Sequence, residues 1–94
     1  MKIPSKVRIK SKVHYEIVWQ DRIAEDDHCL GLCDPQKRII YLKLGMSETE
    51  TFKTFVHELF HALSAEHNFE LPHRTVYALE DAVFKIIKLN KWIK

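Results

Sequence analysis

The chain has 94 residues, of which 46% are hydrophobic and 30% are charged, and its formal net charge at pH 7 is +2. This length and composition are typical of one small folded domain and exclude a disordered chain. The small charge gives no general argument for a nucleic-acid partner, and no apolar run approaches the length of a membrane span. We therefore predict a single domain over residues 1–94 with no membrane partner.

The first alternating segment carries a cationic face. Its basic side chains are Lys6, Arg8, Lys10 and Lys12, and they alternate with mostly apolar residues. Such a face can contact phosphates, but it is more often solvated or protects a sheet edge from unwanted pairing. No aromatic platform or nucleic-acid motif accompanies it, so nucleic acid is not expected as a partner.

The rest of the N-terminal half also has the patterns of strands. Residues 13–19 alternate, residues 29–33 are short and apolar, and a turn at residues 35–37 precedes the apolar run from Arg38 to Leu44. The only cysteines, Cys29 and Cys33, are predicted to be structural thiols. A small antiparallel or mixed sheet packed on the helices of the C-terminal half gives an α+β domain. Its predicted shared core consists of Ile40, Leu42, Phe52, Leu59, Val76 and Val83.

A helix is predicted to begin after Ser47. Ser47 and Glu50 form the pattern of a capping box, and no Gly or Pro interrupts the chain from there to Leu71. Apolar residues recur at helical spacing, namely Phe52, Phe55, Val56, Leu59 and Leu63.

This helix contains the motif H-E-x-x-H as His57, Glu58 and His61. Residues four apart lie on one face of a helix, so the two imidazoles can bind one metal ion. Zinc suits two imidazoles and an open position, and a carboxylate beside it can take the proton of a bound water. The motif therefore predicts one Zn²⁺, with His57 and His61 as ligands and Glu58 as the catalytic base.

Two residues compete for the third ligand position. His67 has the spacing of a metzincin ligand, but Ser64 replaces the glycine that turns the chain sharply in those enzymes. If the helix continues, His67 lies about 9 Å beyond His61 along the axis and on another face. The alternative is Glu80, which falls inside the apolar stripe of a second predicted helix from about His73 to Leu89.

The position of Glu80 favours it as the third ligand. A carboxylate that faces a core is unfavourable unless it is paired or bound to metal. The turn at residues 68–72 is short, so the two helices are expected to be antiparallel neighbours with Glu80 at the height of the histidines.

With His57, Glu58, His61 and Glu80 identified, the chain resembles gluzincin-type zinc metallopeptidases. It is most similar to the minigluzincins and to the SprT-like and ImmA/IrrE-like small peptidases of bacteria and phages, over roughly residues 7–90. The resemblance implies His57, His61 and Glu80 as ligands and Glu58 as general base and acid. Some relatives use a third histidine, which keeps His67 and His73 as alternatives.

The expected reaction is peptide hydrolysis in the cytoplasm, since the N-terminal segment has no apolar signal region. Tyr77 and His73 are candidates to stabilise the transition state, and Asp81 is a candidate to orient a ligand histidine. A peptide substrate is expected to pair with the edge of the strand formed by Ile39, Ile40, Tyr41, Leu42 and Lys43. The alternative function is a catalytically silent module that binds zinc or peptide at the same site. Substrate identity and oligomeric state do not follow from the sequence.

Overall fold

The computed structural model describes residues 2–25 and 28–91. Four strands precede two helices in the chain, as the sequence predicts. The elements are β1 (Lys6–Lys10), β2 (Val13–Gln20), β3 (Gly31–Asp34), β4 (Ile39–Lys43), α1 (Glu48–His67) and α2 (His73–Leu89).

The four strands form one sheet in the order β1-β2-β4-β3. The β1–β2 and β3–β4 pairs are antiparallel, whereas β2 and β4 run parallel, so the sheet is mixed. The predicted α+β architecture, with an N-terminal sheet and two C-terminal helices, is therefore confirmed. The cationic strand β1 lies at one edge of the sheet and β3 at the other.

One face of the sheet packs against α1. Val13, Tyr15 and Ile17 alternate with exposed or half-buried residues along β2, because successive side chains of a strand point to opposite faces. Together with β4 and α1 they form a cluster of buried residues, which comprises Val13, Tyr15, Ile17, Ile40, Leu42, Phe55 and Ala62. This cluster holds α1 against the sheet.

The predicted start of α1 is confirmed in detail. The Ser47 hydroxyl accepts a hydrogen bond from the Glu50 amide at 3.1 Å and lies 3.3 Å from the Glu50 carboxylate. The helix then runs without interruption to His67 and ends at Asn68, which adopts the left-handed conformation that asparagine tolerates well.

α2 packs against α1, which is the one described element that it contacts closely along the backbone. The two helices run in opposite directions. His61, late in α1, contacts His73 at the start of α2, whereas Lys53, early in α1, contacts Asp81 further along α2. The predicted antiparallel pair is therefore confirmed. Its apolar contact comprises Phe52, Val56, Phe84 and Ile87.

The predicted core is largely correct. Ile40, Leu42, Phe52 and Val76 are buried. The other two predicted residues, Leu59 and Val83, are only partly buried but pack against the two clusters. No helix in the described residues combines the length and apolarity that crossing a bilayer requires.

Both cysteines are free thiols. Cys33 packs against the cluster between the sheet and α1. Burial raises the pKa of Cys33 to about 12, and the nearby carboxylates of Glu58 and Asp34 add to this effect. A thiol that stays protonated is a poor nucleophile and a poor metal ligand, which supports a structural role.

Candidate metal centre

The motif residues lie on α1 and face two different neighbours. Glu58 faces β3, where its carboxylate lies beside Gly31. His57 and His61 face α2, where they contact Glu80 and His73. The helix therefore forms the floor of a cleft, with β3 as one wall and α2 as the other.

The two histidines face each other through equivalent nitrogens. Nε2 of His61 lies 3.1 Å from Nε2 of His57, and the rings meet edge to face. The other nitrogen of His57, Nδ1, lies 2.9 Å from Oε2 of Glu80. An ionised carboxylate accepts a hydrogen bond, so Nδ1 of His57 carries a proton, and in the neutral form of the ring its Nε2 then presents a lone pair. His61 then donates from Nε2.

Glu58 is the one charged residue among the buried side chains of the described chain, at 7% exposure. The pKa of Glu58 is raised to about 7: burial is the main cause, His57 opposes the shift, and the Glu80 carboxylate contributes to it. Burial also lowers the pKa of His61, as do His57 and His73. Both shifts reflect the cost of placing charge in a poorly solvated cleft.

Two cavities open on either side of the motif, and both are lined by Gly31, His57 and Glu58. The first, of about 270 Å³, is completed by His28, Leu30, Thr54, Tyr77 and Glu80. The second, of about 440 Å³, also contains His61 and His73 in its lining. Glu58 and His57 therefore border open space on two sides, where a ligand can approach them.

The pair of imidazoles has a suitable separation for zinc. Two nitrogens that are each about 2.0–2.1 Å from a tetrahedral zinc ion lie about 3.3 Å apart, close to the observed 3.1 Å. Yet within residues 2–25 and 28–91 no three His, Cys, Asp or Glu side chains are gathered as a ready metal site. Glu80 contacts the Nδ1 side of His57, so its predicted role as a ligand requires its carboxylate to turn toward Nε2.

The structure brings most of the other predicted residues to the cleft. Tyr77 stacks near His57, with 5.1 Å between ring centroids, and His73 lies 5.4 Å from His61 by the same measure. Asp81 instead contacts the Lys53 amine at 3.6 Å, and the carboxylate beside His57 is that of Glu80. His67 is exposed at the last turn of α1, because the helix continues past the motif.

The sheet order corrects the predicted substrate strand. Ile39–Lys43 is β4, which lies between β2 and β3 and has a pairing partner on each side. A peptide cannot add to this strand without displacing a neighbour, so the prediction that it offers an edge is wrong. Among the described residues, the open edge beside the motif is that of β3, which is adjacent to Glu58.

Two residues of the cleft were missed by sequence reasoning. Gly31 and Thr54 lie against each other between β3 and α1 and line the first cavity. Gly31 had a usable signal, since an isolated glycine within an apolar strand often marks a close approach of another group. Thr54 had none beyond its position one turn before Glu58.

No family model matches the chain, and no curated protein or solved structure matches it either.

Proposed function

We propose that this chain is a zinc-dependent metallopeptidase of the small gluzincin type. One observation carries the proposal: His57 and His61 present Nε2 atoms 3.1 Å apart, with the buried carboxylate of Glu58 on the same helix beside them. Two imidazoles at this separation suit one zinc ion, and an adjacent carboxylate in an open cleft suits a proton carrier.

His57 and His61 supply two ligands, and α2 supplies the third, for which Glu80 is the first candidate and His73 the alternative. When bound, zinc supplies an electrophile for the scissile carbonyl oxygen and makes a water molecule more acidic. Three protein ligands leave a coordination position open, which is the pattern of catalytic rather than structural zinc sites.

Glu58 moves the proton in this proposal. Its carboxylate takes a proton from the attacking water and passes it to the nitrogen of the leaving amine. Burial favours this exchange because a carboxyl group with a pKa of about 7 can both accept and release a proton near neutral pH. A bound cation would lower this pKa and favour the ionised base.

The substrate is a peptide in extended conformation that pairs with the free edge of β3. Leu30 and Lys43 are hydrogen-bonded across β3 and β4, with 3.0 Å between the Lys43 amide nitrogen and the Leu30 oxygen. Bonded and non-bonded pairs alternate in an antiparallel ladder, so Gly31 directs its backbone groups to the open edge. A peptide paired there would pass beside Glu58.

Two side chains of α2 are placed to assist. Tyr77 lines the first cavity and His73 the second, so each can donate a hydrogen bond to the oxyanion from its own side. The proposed compartment is the cytoplasm, where the partly buried Cys29 and Cys33 would remain reduced thiols.

The test measures zinc stoichiometry and peptide cleavage for the native chain and for Glu58→Gln, which keeps the shape of the side chain but cannot carry the proton. We expect one zinc per chain in both proteins and cleavage only by the native chain, with a loss of about 10²-fold or more in kcat for the variant. Equal cleavage by the two proteins would reject Glu58 as the base. Zinc binding without cleavage by the native chain would favour a silent zinc- or peptide-binding module.

A further inference from the structure

We propose that Gly31 is a positioning residue that sets the distance between the carboxylate of Glu58 and the peptide-binding edge of β3. The inference rests on the proposed function, since it assigns Glu58 as the base and β3 as the edge that holds the substrate. It adds a residue that belongs to neither the zinc ligands nor the proton carrier.

The observation is a close approach of β3 and α1 at Gly31, which a side chain at this position would disturb. A Cβ atom added to Gly31 would lie 2.6 Å from Cγ2 of Thr54 and 3.1 Å from Oε2 of Glu58. It would also lie 3.2 Å from the backbone oxygen of Tyr41 in the neighbouring strand. A methyl group at this position must therefore push apart β3 and α1, or push the Glu58 carboxylate aside.

The backbone of Gly31 faces the other way. Its amide and carbonyl point to the open edge of β3, and its carbonyl oxygen accepts a hydrogen bond from the Cys29 thiol at 3.2 Å. A substrate backbone would replace this weak bond with a stronger one. Gly31 thus lies between the Glu58 carboxylate, which the added Cβ would approach to 3.1 Å, and the edge to which its own peptide groups point, so its missing side chain sets their separation.

A methyl group at Gly31 would clash with two different side chains, those of Thr54 and Glu58. The effects of the two clashes can be separated by removing the Thr54 methyl. In Gly31→Ala both contacts are violated, and the variant is expected to lose stability and activity together. In Gly31→Ala/Thr54→Ser the Thr54 methyl is gone while the Thr54 hydroxyl position, 3.7 Å from the Met46 sulfur, is retained by serine. The 2.6 Å contact disappears, whereas the contact with Glu58 at 3.1 Å and the contact with the backbone oxygen of Tyr41 at 3.2 Å remain.

The experiment compares this double variant with Thr54→Ser alone, using zinc-loaded protein and a fluorogenic peptide library. We expect the double variant to regain most of the thermal stability lost in Gly31→Ala. We expect its kcat to remain at least about tenfold lower, with KM within about twofold, since a misplacement on the order of 1 Å at a reacting group lowers rates by up to about 10². Its zinc affinity should be unchanged within about threefold. Recovery of kcat together with stability would overturn the proposal, because Gly31 would then serve packing alone.

Gly45→Ala is the matched control. Gly45 has a φ of +86°, so alanine is strained there, but no atom lies within 4 Å of the added Cβ. This variant should lose stability without loss of kcat, which separates general destabilisation from misplacement of the base.

A second measurement distinguishes failure of this proposal from failure of the proposed function. The ¹³Cδ resonance of Glu58 is recorded at fixed pH in the double variant and in Thr54→Ser, with Glu66 as an internal reference. A shift confined to Glu58 supports the contact even if the native chain cleaves no peptide, an outcome that would reject the peptidase function alone. An unmoved Glu58 resonance would overturn the role of Gly31 whatever the activity.

Discussion

Oε2 of Glu80 lies 2.9 Å from Nδ1 of His57, and this contact joins α2 to the motif helix at the proposed metal centre. The Glu80 side chain is only 15% exposed and that of His57 is 18% exposed, so the contact is poorly screened by solvent. It determines which nitrogen of His57 carries the proton and which presents a lone pair to His61. In the proposed site, the carboxylate of Glu80 therefore orients the first motif histidine toward the cation.

Replacement of Glu80 is predicted to weaken zinc binding. Glu80→Ala should lower zinc affinity by at least about tenfold, because loss of a carboxylate that only orients a ligand histidine has effects of 10–100-fold and loss of a ligand is more severe. Titration calorimetry measures the effect. The control is Asp81→Ala, since Asp81 contacts Lys53 and is the neighbouring carboxylate of α2.

Glu80→Gln refines this result. An amide oxygen still accepts the hydrogen bond of His57 but is a poor zinc ligand. A loss as large as that of Glu80→Ala would support Glu80 as the ligand, and near-native affinity would leave it an orienting role and point to His73. Undiminished zinc binding by Glu80→Ala would contradict both roles.

Zinc binding is predicted to change the tautomer of His61 but not that of His57. Without metal, His61 donates from Nε2 across the 3.1 Å contact, because Glu80 holds the proton of His57 on Nδ1. A shared cation requires both Nε2 atoms to be unprotonated, so the proton of His61 must leave Nε2. Long-range ¹H–¹⁵N NMR spectra of the histidine rings report this directly. Retention of the His61 proton on Nε2 in the zinc-loaded protein would exclude it as an Nε2 ligand.

Glu66 is predicted to make the stability of the folded chain depend on pH in the acidic range. Its carboxylate accepts hydrogen bonds from the Tyr15 hydroxyl at 2.8 Å and from Arg38 at 3.1 Å, which tie the end of α1 to the sheet. The Tyr15 bond, followed by the Arg38 bond, lowers the pKa of Glu66 below its ordinary value of 4.5. A lowered folded-state pKa contributes stability above the unfolded value and loses it as the pH falls below 4.5 through the folded value.

Glu66→Gln should accordingly reduce the urea midpoint at pH 7, and reduce it much less at an acid pH below the lowered pKa of Glu66, where the native carboxylate is protonated as well. The control is Glu70→Gln, since Glu70 is an exposed glutamate in the turn between the helices. An equal reduction at both pH values would show that the charge of Glu66 does not contribute to stability.

The contact between the sheet and α1 is predicted to dominate stability. Ile40 is fully buried in the cluster beneath α1, so Ile40→Ala should lower the free energy of unfolding by ~2–5 kcal/mol through lost burial and a cavity. Leu32→Ala is the control on the adjacent strand, because Leu32 is 41% exposed and lies on the outer face of the sheet. Chemical denaturation measures both variants. Similar losses for the two would indicate that the sheet, not its contact with α1, limits stability.

Local signals account for the parts of the fold that were predicted well. The predicted start of α1 after Ser47 and the bounds of α2 from His73 to Leu89 agree with the structure. Capping residues and apolar spacing act within a few residues of the helix they describe, so they are readable without a fold. The alternation of Val13, Tyr15 and Ile17 likewise indicates one buried face.

Strand order was not readable in the same way. An edge strand and an inner strand share the same alternation, and their partners are far apart in the chain. Nothing local to Ile39–Lys43 indicates that β3 covers its outer side or that β2 pairs with it in parallel. The prediction that this strand is an edge was wrong for that reason, and the edge beside Glu58 is formed by β3.

The amino-acid order alone determined that His57, Glu58 and His61 share one turn of a helix, because helical geometry converts their spacing into proximity without help from the remainder of the chain. Only tertiary packing determined which groups from other elements contact these three residues. The docking of α2 placed Glu80 on Nδ1 of His57, and the approach of β3 placed Gly31 against Glu58. Contacts between distant segments depend on the balance of the whole core, which no short stretch of sequence encodes.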